Sequence, residues 1–139
     1  YDMIEKYRAD DADYVLVCLG STAGTAKVAI EELRQEGIKA GLVKIRVFRP
    51  FPAEDVVQAL KNAKAVVILD RSESLSNQAG PVATEIKSAL FDAGLNIPVK
   101  PYIYGLGGRE IYIEQIKSVY KAIKDLKKTE PVSYLGVKE

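Results

Sequence analysis

Apolar runs and apolar stripes take turns along this chain. Tyr14 to Leu19 reads YVLVCL, a continuous apolar run rich in β-branched residues and closed by Gly20. So short a run predicts a strand buried on both faces. From Thr22 to Glu36 the period changes. Ala26, Ala29, Ile30 and Leu33 fall at i, i+3, i+4 and i+7, one stripe of a helix. Lys27 and Glu31 stand four apart on its polar side and predict an ion pair within the helix. Gly37 sits where a left-handed cap would end it. Leu42 to Phe48 then alternates, with Val43, Ile45 and Val47 against Lys44 and Arg46, which predicts a strand with one face less buried.

The same rhythm continues. Pro52 fits the first position of a second helix, where its missing N–H costs nothing. Glu54 and Asp55 suit the positive end of that helix, and Val56, Val57 and Leu60 supply its buried side. Ala65 to Leu69 (AVVIL) is a second fully apolar run, closed by Asp70-Arg71. After a polar stretch from Ser72 to Ala79, Gly80-Pro81 opens a third helix. Its apolar face is Val82, Ile86, Ala89, Leu90 and Ala93, and Gly94 stops it. Ile97 to Tyr104 is strand-like but carries Pro98 and Pro101, which cannot donate to a ladder, so it belongs at a sheet edge. Tyr102 and Tyr104 read as edge-strand surface or a subunit contact. A long helix follows from about Glu110 to Lys127, with Ile113, Ile116, Tyr120 and Ile123 facing inward. Lys117, Lys121, Lys124 and Lys128 form a basic stripe on it, read here as a solvated face. Residues 129–139 read as an irregular tail, and the first eight residues, with Ile4 and Tyr7 three apart, as a short helical lead-in.

Strands alternating with helices predict a layered α/β domain with a mostly parallel sheet and right-handed crossovers. Four strands are readable, and a fifth would come from the lead-in or the tail. Residues 1–139 read as a single domain, since 139 residues suffice for one and are too few for two.

Composition narrows the chemistry. Twenty basic residues against nineteen acidic ones leave a net charge of +1, so bulk charge makes no case for nucleic acid. The absence of histidine excludes Ser–His and Cys–His dyads and the commonest general base. A single cysteine excludes an internal disulfide and a self-contained iron–sulfur site. Cys18, inside the most apolar strand, reads as an inert core thiol. No apolar run approaches the roughly 20 residues that span a bilayer. The charged opening YDMIEKYRAD is no signal peptide, which points to the cytoplasm. Tyr1, in place of methionine, reads as the start of a mature product or, preferably, of a piece of something longer.

In open parallel sheets the ligand crevice lies beyond the carboxyl ends of the strands. Here those ends carry Gly20-Ser21-Thr22, Arg49-Pro50-Phe51, Asp70-Arg71-Ser72 and Gly105 to Arg109. Glycines, hydroxyls and arginines collected there suit an anion or a partner, with helix N-termini supplying donors. In the plainer reading Ser21 or Thr22 caps a helix and the glycines turn the chain. Phosphate motifs fail on inspection. GSTAGTAK lacks the glycine before its lysine, since Ala26 precedes Lys27, and GLGGRE has Glu110 where a dinucleotide fingerprint needs glycine. A phosphoreceiver site at Asp70 fails because the first strand ends Cys18-Leu19-Gly20, with no acidic metal ligands. The residues alone therefore describe an α/β domain with a polar crevice edge and no assembled catalytic set.

The strings DADYVLVCLGSTAGTAK, GLVKIRVFRPFP, VVILDRSES with AGPVATEI, and YIYGLGGREI follow in that order over nearly the whole chain. Together they resemble the second core domain of pyruvate:ferredoxin oxidoreductases, the C-terminal part of the alpha subunit in the multi-subunit enzymes. RPFP and YGLGGRE are the most specific pieces. The resemblance implies a fold similar to the C-terminal domain of transketolase: three α/β/α layers around a mostly parallel, mixed five-stranded sheet with one strand opposed. It implies a parent enzyme that oxidatively decarboxylates a 2-oxoacid, pyruvate being the expected one, on thiamine diphosphate with magnesium. Electrons would pass through iron–sulfur clusters to ferredoxin and the acyl group to coenzyme A. No cofactor is expected on this chain itself, and no catalytic residue is assigned. The implied role is architectural, toward other domains and subunits of the enzyme, with no nucleic acid or membrane partner. Gly20, Ser21, Arg49, Asp70, Arg71, Gly107, Gly108 and Arg109 sit in the matching strings and on the crevice edge. They are expected to order loops facing those neighbours, with Asp70 paired to one of the arginines. Removing the neighbours would expose an apolar patch and promote a homodimer of the chain alone. The alternatives are a domain of another thiamine-dependent enzyme of transketolase or 2-oxoacid dehydrogenase type, or an independent small-anion or nucleotide-binding module.

Overall fold

The computed structural model describes residues 3–19, 22–46, 50–71, 81–104, 113–124 and 133–134. In chain order the elements are β1 (Ile4–Tyr7), β2 (Tyr14–Leu19), α1 (Thr22–Gln35), β3 (Ala40–Ile45) and α2 (Ala53–Leu60), followed by β4 (Ala65–Arg71), α3 (Pro81–Asp92), β5 (Val99–Tyr104), α4 (Ile113–Ala122) and β6 (Ser133–Tyr134). The strands form one sheet in the order β1-β3-β2-β4-β5-β6. β1 runs antiparallel to β3, and every other pairing is parallel. The mixed sheet expected is therefore present, with β1 as its opposed strand and the two-residue β6 added beside β5. Among the described residues no helix is long and apolar enough to cross a membrane.

The two apolar runs occupy the centre because they are apolar on both sides. Leu16 and Cys18 of β2, with Val67 and Leu69 of β4, face one layer with α1 and α4. Val15 and Val17, with Val66 and Ile68, face the other layer with α2 and α3. Leu16 stands opposite Leu42 on one neighbour and Val67 on the other, so each face is a continuous apolar floor. Burying each such side chain contributes about 1.5–3 kcal/mol gross, most of which chain entropy offsets.

The helices follow their stripes. Ala26, Ala29, Ile30 and Leu33 of α1 are fully buried. The helix ends in a Schellman motif: Ile38 N–H reaches the Leu33 carbonyl at 3.0 Å and Gly37 N–H the Arg34 carbonyl at 3.1 Å, with Gly37 at φ +88°. α3 ends the same way through Leu95 to Leu90 and Gly94 to Phe91, both at 3.0 Å. Pro52 is the residue before the first turn of α2, one position earlier than expected, and its carbonyl accepts from Val56 N–H at 3.0 Å. Val56 and Leu60 are buried, whereas Val57 is only half-buried. Ala93 is exposed, and the inner face of α3 uses Ala83 instead. Ile116, Tyr120 and Ile123 face inward as expected, with Ile113 partly buried beside them.

Three expectations are corrected. The lead-in is a strand, because four residues gain more from a ladder to β3 than from an isolated helical turn. Lys27 and Glu31 do not pair with each other. Lys27 Nζ meets Glu5 at 2.7 Å, and Glu31 meets Arg8 Nε at 2.6 Å, since β1 lies within reach of α1. The basic stripe of α4 is not a solvated face throughout. Lys117 Nζ lies 3.2 Å from Glu32 and 2.8 Å from Glu36 of α1, and Lys121 lies 3.1 Å from Glu36. The tail contributes β6, and its remaining residues lie outside the described ones. β5 stands next to the edge, its outer side paired among the described residues at Tyr102 and Ile103, beyond Pro101.

Gly41 is the most crowded of the described glycines. A Cβ there would lie 2.7 Å from both the Ala12 Cβ and the Arg8 carbonyl oxygen. Its carbonyl accepts the buried Tyr120 hydroxyl at 2.6 Å, tying α4 to β3. Gly41→Ala is expected to destabilise the chain by about 1–3 kcal/mol, read as a lowered urea midpoint with an unchanged slope.

Candidate functional site

The carboxyl edge of the sheet is where the strand order would place a site. Of the sequence-predicted residues, the structure describes the side chain of Asp70 alone. Gly20, Ser21, Arg49, Gly107, Gly108 and Arg109 lie outside the described residues, as does the side chain of Arg71, whose backbone ends β4 opposite Tyr104.

Asp70 is the one buried charged residue among those described, at 4% exposure. It occupies the sixth position of β4, where the strand leaves the floor of the sheet, and its backbone pairs with Ile103. Both carboxylate oxygens are engaged by the first turn of α3. Val82 N–H donates to Oδ1 at 3.1 Å and Ala83 N–H to Oδ2 at 3.0 Å. Burial pushes this carboxyl above its ordinary value, and the Ala83 and Val82 donors pull it back. The expected ion pair has its arginine side chains outside the described residues. The observed partners are helix donors, which need no counter-ion because the N-terminus of a helix carries partial positive charge. The carboxylate fills the end of α3 that would otherwise be a ready anion site.

A second feature went unread in the sequence. A cleft of about 440 Å3 lies between β1, the end of β3 and α2, lined by Ile4, Glu5, Lys6, Arg46, Asp55 and Gln58 among others. It exists because β1 brings its amino end to this edge, where Arg46 N–H donates to the Met3 carbonyl at 2.8 Å. Reading the lead-in as a helix hid it. Its charges are largely paired: Glu5 with Arg46 at 3.1 Å, Lys6 with Asp10 at 3.2 Å.

Nothing described forms a catalytic constellation. Cys18 is wholly buried, and burial raises its thiol to about 12, against a smaller opposing effect of Lys44. Among the described residues no group of His, Cys, Asp and Glu is arranged to hold a metal ion. The large exposed apolar side chains described, Phe91 and Val28, stand on α3 and α1, in opposite layers.

Residues 12–116 match the family described as pyruvate:ferredoxin oxidoreductase core domain II. The chain is 42% identical over 140 residues to the pyruvate synthase subunit PorA of Thermotoga maritima, across 100% of this chain and 36% of that protein. It is 42% identical over 123 residues to the ketoisovalerate oxidoreductase subunit VorA of Pyrococcus abyssi, across 88% of this chain and 31% of that protein. The chain thus spans about a third of the length of these relatives. Its fold is similar to part of a 2-oxoglutarate:ferredoxin oxidoreductase from Magnetococcus marinus (TM-score 0.65, 23% identity, 88% of this chain, 20% of that one). It is also similar to a split-gene transketolase described as an inactive beta4 tetramer (TM-score 0.69, 20% identity, 89% of this chain, 42% of that one).

Two outcomes follow from this geometry. Asp70→Ala is expected to lower stability by about 1–2 kcal/mol through loss of the α3 cap, and Asp70→Asn, which keeps one acceptor, by less, as read in urea titrations. Cys18 is expected to resist a disulfide reagent in the native chain and to react at once in denaturant.

Proposed function

The chain belongs to the pyruvate:ferredoxin oxidoreductase core domain II family, and on that footing we propose that it is an assembly domain of a multi-subunit 2-oxoacid:ferredoxin oxidoreductase. The domain comprises residues 1–139 and has the transketolase C-terminal type of fold. The parent enzyme oxidatively decarboxylates a 2-oxoacid, pyruvate by preference, passes electrons to ferredoxin and delivers the acyl group to coenzyme A. It works in the cytoplasm. The domain itself is inert, meets the other domains and subunits through its carboxyl edge, and forms a homodimer when those neighbours are missing.

The observation that carries this reading is the arrangement at Asp70. The buried charge at the carboxyl edge engages backbone donors of its own fold with both oxygens, which makes it a brace for α3. The thiol count also fails to fit the parent's iron–sulfur clusters. An iron–sulfur cluster takes about four thiolates, and the chain has one, buried in the floor of the sheet. No catalytic step is therefore assigned to this chain, and thiamine diphosphate, magnesium and the clusters belong to other parts of the enzyme. Arg49, Arg71 and Arg109, with the glycines and Ser21 around them, order the loops that meet those parts.

The test uses the assembled enzyme. Arg49→Ala in the full alpha subunit is expected to weaken subunit association, seen as loss of the complex on size exclusion, and to lower turnover several-fold. The isolated 139-residue chain is expected to leave pyruvate unconsumed. An unchanged complex with unchanged turnover would sink the assembly role. Tight calorimetric binding of coenzyme A or an adenine nucleotide by the isolated chain would favour an independent nucleotide module.

A further inference from the structure

β1 is attached to the domain differently from the central strands. Ile4, Glu5 and Tyr7 are half-buried and Lys6 is exposed. Val15 to Cys18 of β2 and Ala65 to Asp70 of β4 are wholly buried. Beyond its antiparallel ladder to β3, β1 lays Ile4 and Tyr7 partly against the two cores and is fastened further by charge. Glu5 accepts from Lys27 Nζ of α1 at 2.7 Å and from Arg46 at 3.1 Å. At the other end, the Tyr7 hydroxyl and the Arg8 guanidinium both reach Glu31 of α1. Lys27 also stands 5.5 Å from the Tyr7 ring centroid. These pairs are partly exposed, and pairs of that kind are weak and screened by salt.

The turn that follows is anchored more firmly. Ala9 and Ala12 are buried against Gly41. Arg34, only 15% exposed, holds Asp11 with two nitrogens at 2.8 and 3.1 Å and donates to the carbonyls of Arg8 and Ala40 at 2.9 Å each. Arg8, at the junction, has φ +53°, a left-handed conformation that a side chain adopts at a cost. A strained junction thus separates a buried anchor from a half-buried strand.

We propose that residues 3–8 form a strap held closed by the Glu5 and Glu31 ion pairs, which opens locally about Arg8 when those pairs are screened while the rest of the sheet stays folded. Opening bares the ladder groups of β3 from Leu42 to Ile45. The groups facing the strap set its charge balance. They are Lys27, Glu31 and Arg34 of α1, Lys44 and Arg46 of β3 and its end, Asp55 of α2, and Asp10 and Asp11 of the turn. Lys27 and then Arg46 hold the Glu5 carboxyl below its usual range, and Tyr7 and Arg8 do the same for Glu31, as closed ion pairs require.

Hydrogen exchange of the 139-residue chain, followed by mass spectrometry, tests this. Raising sodium chloride from about 0.05 to 1 M at pH 7 is expected to speed exchange of residues 3–8 by about fivefold and to leave residues 65–70 unchanged. Glu5→Gln with Glu31→Gln is expected to give the same fast exchange at low salt. Exchange of both segments at one rate would overturn the strap, because the sheet would then open as a single unit. Fast exchange of residues 3–8 that neither salt nor the double substitution alters would overturn it too, as simple fraying of an edge strand.

Discussion

The whole arrangement depends on two central strands whose middle residues, Val15 to Cys18 and Ala65 to Asp70, are buried. β2 and β4 are apolar at successive positions, so water must be excluded from both faces of the sheet at once. One layer of helices cannot do that. The chain answers with α1 and α4 on one side and α2 and α3 on the other, each presenting a single apolar stripe. Parallel pairing follows from the same constraint, because every crossover must return along a covered face before the next strand begins.

Polar groups then decide how the layers are held relative to one another. Gly41 lets the turn after β1 lie directly on β3, and the Tyr120 hydroxyl closes the opposite layer onto its carbonyl. Lys117, half-buried between Glu36 and Glu32, draws its proton-holding strength from both and joins α4 to α1. Asp70 performs the corresponding task for α3 through two backbone donors. Each of these contacts joins elements distant in sequence. Together they give the described part of the carboxyl edge a rigid base.

The margins of the sheet are treated unequally. Toward β5 the ladder is thinned by Pro101 and extended by only two residues of β6. Toward β1 it is closed by a short charged strand. Self-pairing of that strand across a two-fold axis would set Glu5 against Glu5 or Lys6 against Lys6, so the same charges that fasten it discourage a second copy from joining there.

Much of the fold was legible because hydrophobic period is a local property. The runs at Tyr14 and Ala65, the stripe of α1, and the glycine stops at Gly37 and Gly94 are set by residues a few positions apart, and the structure has them where the pattern puts them. The carboxyl-edge position of Asp70 was legible for the same reason, since it closes an apolar run. What the pattern could not contain were partners chosen across space. Lys27 had Glu31 within one helical turn and took Glu5 of β1. The lysines of α4 looked solvated until α1 brought two glutamates beside them. The lead-in was ambiguous because four residues carry too little period to distinguish a turn of helix from a strand, and only the free edge of β3 settled it. Asp70 found its donors twelve and thirteen residues away. Local chemistry determined the elements and their buried faces. Tertiary structure assigned the paired charges among the described residues their partners, because electrostatic attraction depends on distance in space and takes no account of distance along the chain.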